Sequence, residues 1–568
     1  MKRAIRSAAW LLCWLAACTT PSQQPTNSAA VDASTSDTEA AGGDIPEAPS
    51  DVAETDAAPA DLDSVDAQPS DAETADGNAD DAAYDAAEVA DVDVEDDDVT
   101  APDTATAPDT ATAPDTTPPA CHPADCDDGN VCTADSCANG ACVHAATAGA
   151  CSGGAACTVG DACDKGVCKA PVCPQAPGEC KQSGGSGGPT SETLTTADAA
   201  GFRLTALGQW SASEALIAQI GAHPSAKVVT LATVLGNLNR TGSKLTSVPE
   251  VQCVQRAFAW NSGDSDVVYW WPQGLTGSWD GAAAGTYAGK QVLLASWYHK
   301  PAEDPSTTTN KGVRLSVADL ASSAPKYRLV LLVEPKTDAN GKATFAPIAI
   351  HAGGIAWYGD FLYVADTTGG LRVFDLRRFV QVQTGDKDAV GWVAKANAYH
   401  GFGYAYVLPQ VSRYVACKTC CQRFSFVGVD RTTTPARLVT GEYAVDDKRG
   451  RLLHWPLDAK TGHLQTSENV VQASAAQFPG VRRMQGALSI GSEVWISSSE
   501  KYPGTTNVAT LYRYTGVGAK ALLRRLPRVP EDVSYQKPKG ALWTLTEQPG
   551  KRYVFAMPEA DLPKASCQ

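Results

Sequence analysis

The chain has 568 residues and a formal net charge of -18, and 43% of its residues are hydrophobic. The acidic charge is concentrated, because residues 19–120 contain 27 Asp or Glu residues and no Lys or Arg. The remainder of the chain carries a small positive charge, without the basic stripe that nucleic-acid-binding proteins present. The composition therefore excludes nucleic acid as the expected partner.

The N-terminus predicts export. Three basic residues precede a short apolar run, which cannot span a bilayer and has the pattern of a signal peptide over residues 1–17. The run ends in Leu-Ala-Ala-Cys, which resembles the lipobox of bacterial lipoproteins and implies that Cys18 is acylated and anchored in a membrane. Thr19 stands where the retention signal of the inner membrane has Asp, so an outer-membrane or cell-surface location is expected. An ordinary signal peptide, cleaved elsewhere, is the alternative.

Residues 18–120 have the composition of a disordered acidic stalk. They are rich in Ala, Asp, Thr and Pro, and Tyr84 is their only aromatic residue. Such a segment cannot bury enough apolar surface to offset its conformational entropy. It ends in a six-residue repeat, APDTAT, over residues 101–118, which favours extended polyproline II. The acidic run 95–98 is an alternative calcium site, but it lacks the Gly turn and the ligand spacing of a calcium loop.

Cysteine usage predicts a disulfide framework. Of 18 Cys residues, Cys13 leaves with the signal peptide and Cys18 takes the lipid, so 16 remain. An even number in an exported chain is typical of disulfides, and the spacing leaves their connectivity open. The candidates are Cys121, Cys126, Cys132, Cys137, Cys142, Cys151, Cys157, Cys163, Cys168, Cys173, Cys180, Cys253, Cys417, Cys420, Cys421 and Cys567.

Residues 121–182 form a Cys-rich module with two aligned copies. The first copy, CDDGNVCTADSC, resembles the CDDGNxCTxDxC repeats of bacterial surface proteins, which are small disulfide-stapled modules. Zinc is disfavoured, because Cys pairs two residues apart are missing and the expected compartment is oxidising. Calcium on Asp125, Asp127, Asp128 and Asn130 is an alternative, but the second copy lacks these ligands.

A Gly/Ser linker over residues 183–200 precedes residues 201–568, which hold 11 of the 13 Trp residues and predict a large folded domain. A polar-Gly start followed by two alternating strands recurs in five units between Arg256 and Pro558. Period-two patterning predicts antiparallel sheet, and stacked units of this kind predict an all-β fold, a β-propeller with five to seven blades. Residues 200–255 add a sixth blade or complete the first, and residues 211–220 predict a helix. A long β-sandwich, or two β domains, is the alternative.

This domain resembles a family of secreted bacterial proteins with propeller-like repeats. The resemblance implies the fold and export, but no activity. This chain departs from the family at residues 414–422, YVACKTCCQ, which contain three additional Cys residues. Disulfide bonds are the expected role of these residues in an oxidising compartment, and metal binding is the alternative. The matching stretches are NSGDSDVVYWWPQG at 261–274, HAGGIAWYGDFLYVADTTGGLRVFDL at 351–376, FSFVGVDR at 424–431, GEY at 441–443, MQGA at 484–487, PEDVSY at 530–535 and LWTLTEQPGKRYVFA at 542–556.

Polar residues at the starts of the predicted innermost strands are the candidate site. In a propeller these starts converge on one mouth of the central channel. The candidate ligand-binding residues are Gln273, His351, Glu442, Gln485, Glu531 and Asp532. Glu442, Glu531 and Asp532 suit calcium, and a carboxylate beside His351 suits acid–base chemistry. Capping of turns by the same side chains is the structural alternative.

Two classes of function follow from these patterns. The first is a surface-displayed lipoprotein whose propeller binds a polymer, peptide or protein ligand. The alternative is a calcium-dependent extracytoplasmic hydrolase or lactonase with its site at the channel mouth. The sequence contains no GxSxG, HExxH or phosphate-loop motif, so it leaves catalysis open. A sugar platform on Trp270 and Trp271 beside Asp264 and Asp266 is a weaker candidate, because such aromatics are more often core.

Overall fold

The computed structural model describes residues 126, 128, 132–139, 141–147, 150–151, 161–164, 167–169, 191–197, 199–416 and 422–560. The signal peptide, the lipidation site at Cys18 and the stalk that the sequence predicts lie outside these residues. Asp125, Asp127 and Asn130 also lie outside them. So do the candidate disulfide residues Cys121, Cys157, Cys173, Cys180, Cys417, Cys420, Cys421 and Cys567.

The Cys-rich segment forms short antiparallel strands. Strands β1 (Thr133–Ala138) and β2 (Ala141–Ala146) make one hairpin. The second copy supplies β3 (Ala150–Cys151), β4 (Asp161–Asp164) and β5 (Val167–Lys169), which carry Cys151, Cys163 and Cys168.

Disulfides are confirmed for five of the candidate residues. Cys126 and Cys142 are bonded at 2.02 Å, across 16 residues of chain. Cys132, Cys137 and Cys253 are also disulfide-bonded. Crosslinks suit a module with this little core, because they restrict the unfolded chain.

Five antiparallel groups of strands make up the blades in the described part of the chain, and blades 1 and 2 are joined edge to edge in one larger sheet. Blade 1 contains β12 (Trp270–Gly277), β13 (Val292–His299), β14 (Val313–Asp319) and β15 (Lys326–Thr337). Blade 2 contains β17 (Ile355–Tyr358), β18 (Phe361–Asp366), β19 (Gly370–Asp375) and β23 (Tyr406–Ala416). Blade 3 contains β24 (Phe426–Asp430), β25 (Arg437–Gly441), β26 (Leu452–Pro456) and β28 (Ala475–Phe478). Blade 4 contains β29 (Met484–Ile490), β30 (Glu493–Lys501), β31 (Ala509–Tyr514) and β32 (Leu522–Leu526).

Blade 5 closes the ring with strands from both ends of the domain. The late strands β33 (Pro530–Gln536), β34 (Ala541–Thr546) and β35 (Tyr553–Pro558) pair in order. The early strand β11 (Arg256–Ala259) then pairs with β35, and β10 (Ser243–Leu245) pairs with β11. This pairing joins the segment that leads into blade 1 to the last blade through the hydrogen bonds of one sheet.

The segment before blade 1 adds outer strands to existing blades and does not build a sixth. Strand β6 (Thr195–Ala197) pairs with β28, so the predicted linker already contributes to blade 3. The other outer strands and hairpins are β7 (Arg203–Leu207), β8 (Lys227–Val229), β9 (Arg240–Thr241), β16 (Ala343–Pro347), β20 (Phe379–Gln381), β21 (Val390–Val393), β22 (Ala398–Gly401) and β27 (Val470–Gln472).

Helix is scarce, as the sequence predicts. Helix α1 (Trp210–Gly221) confirms the one predicted amphipathic segment, and its Ile217 and Ile220 are buried. The shorter helices are α2 (Leu231–Leu235), α3 (Ser262–Ser265) and α4 (Ser278–Gly281), with single 3-10 turns at Pro301–Glu303, Ala394–Ala396 and Lys537–Lys539. In the described residues no helix has the length and apolar character that a bilayer span requires.

The innermost strands of the blades form a closed cycle. Strand β12 contacts β17, β17 contacts β24, β24 contacts β29, β29 contacts β33, and β33 contacts β12. A β-propeller of five blades is therefore the fold, within the predicted range. Five hydrophobic clusters fill the gaps between successive blades, and Trp297, Trp455 and Trp495 are among the side chains fully buried there.

Glycines set how closely these strands approach one another. A Cβ on Gly274 of blade 1 would lie 2.7 Å from the backbone nitrogen of Ile355 in blade 2. Gly354, Gly428 and Gly486 face the backbone of the next blade at similarly short range. At these four junctions, from blade 1 round to blade 5, neighbouring blades therefore meet backbone to backbone at the glycine positions, where a side chain does not fit.

We expect Gly274→Ala to lower the free energy of unfolding by about 1–3 kcal/mol, because the added methyl group overpacks the contact between blades 1 and 2. Denaturant unfolding followed by Trp fluorescence measures this, since the Trp residues beyond the signal peptide all lie in the propeller. Gly208→Ala is the matched control, because a Cβ there meets nothing within 4 Å. Equal stability of the two variants would contradict the packing account.

Candidate functional site

The propeller has two faces with different chemistry. We call the side on which β12, β17, β24, β29 and β33 begin the start face, and the side on which they end the end face. The site residues that the sequence predicts lie on or near the start face. Most of them precede or open an innermost strand there, whereas Glu442 directly follows β25, which runs antiparallel to β24 and ends on this side.

Asp532 lies two residues into β33 and is fully buried. Its Oδ2 atom accepts hydrogen bonds from the backbone N–H groups of Leu275 at 3.0 Å and Ile355 at 3.2 Å. Its Oδ1 atom accepts one from the N–H of Val533 at 2.9 Å. One carboxyl group from blade 5 therefore ties blades 1 and 2 together at the axis.

Glu442 is committed to an ion pair on blade 3. Its Oε1 and Oε2 atoms accept hydrogen bonds from Nη2 and Nε of Arg451 at 2.5 and 2.7 Å, and both side chains are buried. Backbone N–H groups of Arg423 and Arg451 also donate to Glu442, at 3.1 and 2.9 Å. This geometry stabilises the loop between β25 and β26, and its bidentate form suits a buried pair.

The other predicted residues pair locally. Gln273 donates from Nε2 to Oε2 of Glu547 at 2.6 Å. Gln485 approaches Oε1 of Glu531 at 3.4 Å, so the structure brings these two predicted residues together. His351 packs against the ring of Tyr298, with ring centroids 4.4 Å apart.

The three carboxylates predicted to bind calcium are not gathered into one ligand cluster. Among the described residues, the one group of His, Cys or acidic side chains compact enough for a metal is Asp128, Asp135 and His144, in the Cys-rich segment. His144 Nδ1 lies 2.7 Å from Asp135, whose hydrogen bond raises the pKa of His144 and lowers that of Asp135. The group is therefore internally paired without an ion.

A pocket of about 240 Å³ opens on the start face among blades 1, 4 and 5. Its wall includes Trp271, half-buried beneath the ammonium of Lys300, which lies 4.1 Å from the ring centroid. The charged residues that line it are Arg483, Lys501, Arg528 and Glu547. Cations outnumber anions in this lining. Of the predicted aromatic platform, Trp270 is instead buried in the core, with the guanidinium of Arg314 4.4 Å from its ring centroid.

A second site, at the end face, was missed by the sequence reasoning. Asp280 lies in helix α4, directly after β12, and is buried. Its Oδ2 atom accepts hydrogen bonds from Oγ1 of Thr276 at 2.8 Å, from Oγ of Ser534 at 2.5 Å and from the N–H of Gly277 at 3.2 Å. Thr276 in turn accepts from the N–H of Trp357 at 3.1 Å, so the network joins blades 1, 2 and 5.

Burial controls the protonation of these two axial carboxyls. Loss of solvent raises the pKa of Asp280 to about 6, against the lowering effect of its three hydrogen bonds and of Arg431. Burial, together with the charge of Asp280, also raises the pKa of Asp532 well above its ordinary value. Perturbed carboxyls in a cavity are a common mark of functional sites.

The comparisons with known proteins find solved structures whose folds resemble this one, with low TM-scores. No protein-family model matches the chain, and no curated protein matches it. The β-propeller domain of Myceliophteria thermophila Cps50 (Swd1) is 9% identical and covers 56% of this chain and 98% of its own, with a TM-score of 0.24. A gluconolactonase from Xanthomonas campestris is 11% identical and covers 59% of this chain and 89% of its own, also with a TM-score of 0.24. These scores carry no argument, and the propeller assignment comes from the blades themselves.

The raised pKa of Asp280 predicts a pH-dependent stability. Its folded pKa of about 6 exceeds the ordinary 3.8, so the folded protein binds this proton more tightly than the unfolded chain does. That stabilisation is fully present below about pH 4, is lost as the pH rises through about 6, and amounts to about 3 kcal/mol. We expect the stability difference between wild type and Asp280→Asn to fall by that amount between about pH 4 and 7. Denaturant unfolding at a series of pH values measures it.

Asp388→Asn is the control, because Asp388 is exposed on a loop. Its stability difference from wild type, measured at the same pH values, gives the baseline for an Asp→Asn exchange at the surface. A constant difference for Asp280→Asn would show that Asp280 takes up no proton on folding.

Proposed function

We propose that the protein is a surface-displayed lipoprotein whose propeller is a recognition domain for an acidic extracytoplasmic polymer, peptide or protein. The observation that carries the proposal is the start-face pocket, where Arg483, Lys501 and Arg528 face a single carboxylate, Glu547, beside Trp271. Guanidinium and ammonium groups bind carboxylate, sulfate and phosphate groups by charge-assisted hydrogen bonds.

Binding suits this face better than catalysis does. The predicted carboxylate Glu442 is held by Arg451, and Asp532 is held by backbone N–H groups. Neither is placed as a positioned general base beside the pocket. The cationic pocket instead supplies complementary charge, which steers an acidic ligand and fixes its orientation.

The N-terminal sequence supports display on a surface. The lipobox ending in Cys18 is expected to hold the mature chain in a membrane. The disordered stalk that the sequence predicts over residues 18–120 would extend on the order of 55 Å as a flexible coil, and repulsion between its like charges would lengthen it. This distance would bring the propeller to ligands beyond the membrane surface.

Two measurements on the full chain test the proposal. In fractionated cells, wild type is expected with the membranes and Cys18→Ser in the soluble fraction, because acylation provides the anchor. With purified protein, the acidic probes polyglutamate and alginate are expected to bind, neutral dextran is not, and binding weakens with added salt. The double variant Arg483→Glu, Lys501→Glu is expected to weaken acidic-probe binding by about tenfold or more.

A charge-matched double variant away from the pocket, Lys244→Glu with Lys326→Glu, controls for net charge, since both Lys residues are exposed on outer strands. Equal weakening by both double variants would locate binding elsewhere on the surface. Equal binding of dextran and alginate would contradict acidic recognition, and membrane retention of Cys18→Ser would contradict the lipid anchor.

A further inference from the structure

The end face contains a partly open cavity of about 210 Å³. Four blades line it, each near the end of its innermost strand. Trp279 and Asp280 come from blade 1, Val429 from blade 3, Ser489 from blade 4 and Tyr535 from blade 5. A volume below that of drug-sized pockets restricts the occupant to a small molecule.

Two polar side-chain atoms of residues that line this cavity have no hydrogen-bond partner among the described residues, and the Ser489 hydroxyl is itself fully buried. Every hydrogen bond that Asp280 accepts on its side chain goes to Oδ2, which leaves Oδ1 without one. The hydroxyl of Ser489 is buried and also has no hydrogen-bond partner. Both residues are more than nine-tenths buried, and an unmet polar atom in such a place is costly. A hydrogen-bonding ligand between them would satisfy both.

Cationic donors line the same cavity. Arg431 donates from Nε and Nη2 to the backbone carbonyls of Asp280 and Gly281, which fixes its guanidinium and leaves Nη1 for another acceptor. Lys537 lies at the rim, and no ion pair is found for it within the described part of the chain. These two cationic groups suit a carboxylate on the ligand, whereas the carboxylate of Asp280 suits a cationic group on the ligand.

The remaining wall is apolar. Trp279, Val429 and Pro538 supply carbon surface between the polar groups. The indole of Trp279 is fixed by a hydrogen bond to Oγ of Ser534 at 2.7 Å and by stacking on Trp543. The cavity thus combines one anionic acceptor, two cationic donors and a rigid apolar side.

We propose that this cavity binds a small zwitterion, an α-amino acid with an apolar side chain. The ammonium group of the ligand donates to Oδ1 of Asp280 and to Oγ of Ser489. Its carboxylate accepts from Arg431 and Lys537, and its side chain packs on Trp279 and Val429. A ligand without the ammonium group leaves the Asp280 carboxylate without a counter-charge. A ligand without the carboxylate leaves Arg431 and Lys537 without one. The site lies on the opposite face from the pocket for acidic ligands and is independent of it.

Calorimetric titration of the full chain with three probes tests the proposal. L-leucine carries both charged ends, 4-methylpentanoate lacks the ammonium, and isopentylamine lacks the carboxylate. Leucine is expected to bind at least about tenfold more tightly than either analogue. Asp280→Asn, which keeps the shape of the side chain, is expected to weaken leucine about tenfold and to leave 4-methylpentanoate unchanged.

Lys537→Ala provides a variant whose folding is not at risk, since Lys537 is exposed. It is expected to weaken leucine and 4-methylpentanoate alike and to leave isopentylamine unchanged. Absence of leucine binding at 10 mM, about equal affinity for all three probes, or unchanged leucine binding in both variants would overturn the zwitterion site. Acidic-polymer binding on the start face is measured in the same variants and is expected to be unaffected, so failure of one proposal is distinguishable from failure of the other.

Discussion

The structure depends on the hydrogen bonds that the Asp532 carboxyl accepts at the centre of the ring. Leu275 of blade 1 and Ile355 of blade 2 both donate their backbone N–H groups to it. At the other junctions the glycines allow the backbones to approach directly. Between the last and the first blade, where the ring must close, a side chain from β33 bonds to the backbone instead. Buried N–H groups need acceptors, so this one carboxyl satisfies donors that no strand pairing reaches.

Closure of the ring also separates the two candidate sites. On the start face, Glu442 forms an ion pair with Arg451. The pocket at the surface of this face is lined by more cationic than anionic side chains. On the end face the same innermost strands surround a cavity in which Asp280 keeps one oxygen without a partner. The charge of Asp280 raises the pKa of Asp532, so the group that closes the ring is electrostatically coupled to the group that lines the cavity. Ligand binding to Asp280 would therefore change the pKa of Asp532, which closes the ring.

Local pattern predicted the blades, and long-range contacts decided the site. Alternating apolar residues predicted the strands and the five repeated units, because each blade is a meander of neighbours in sequence. The position of Asp532 at a strand start was predicted as well, but its partners, more than 170 residues earlier, were not. Glu442 was predicted to serve as a ligand and instead pairs with Arg451, nine residues later, because the loop folds back on itself. Asp280 resembles any Asp that caps a turn after a strand, so only the closed ring distinguishes it.

The central claim is that the Asp532 carboxyl closes the propeller, and the most direct test is the unfolding free energy of Asp532→Ala beside Asp532→Asn. The Asn side chain retains an oxygen that accepts from Leu275 and Ile355 and loses only the acceptor of the Val533 N–H, so this variant is expected to lose about 1 kcal/mol. The Ala variant leaves buried N–H groups without an acceptor and is expected to lose about 3 kcal/mol or more. If Asp532→Ala unfolds at the same denaturant concentration as Asp532→Asn, the carboxyl does not hold the ring together.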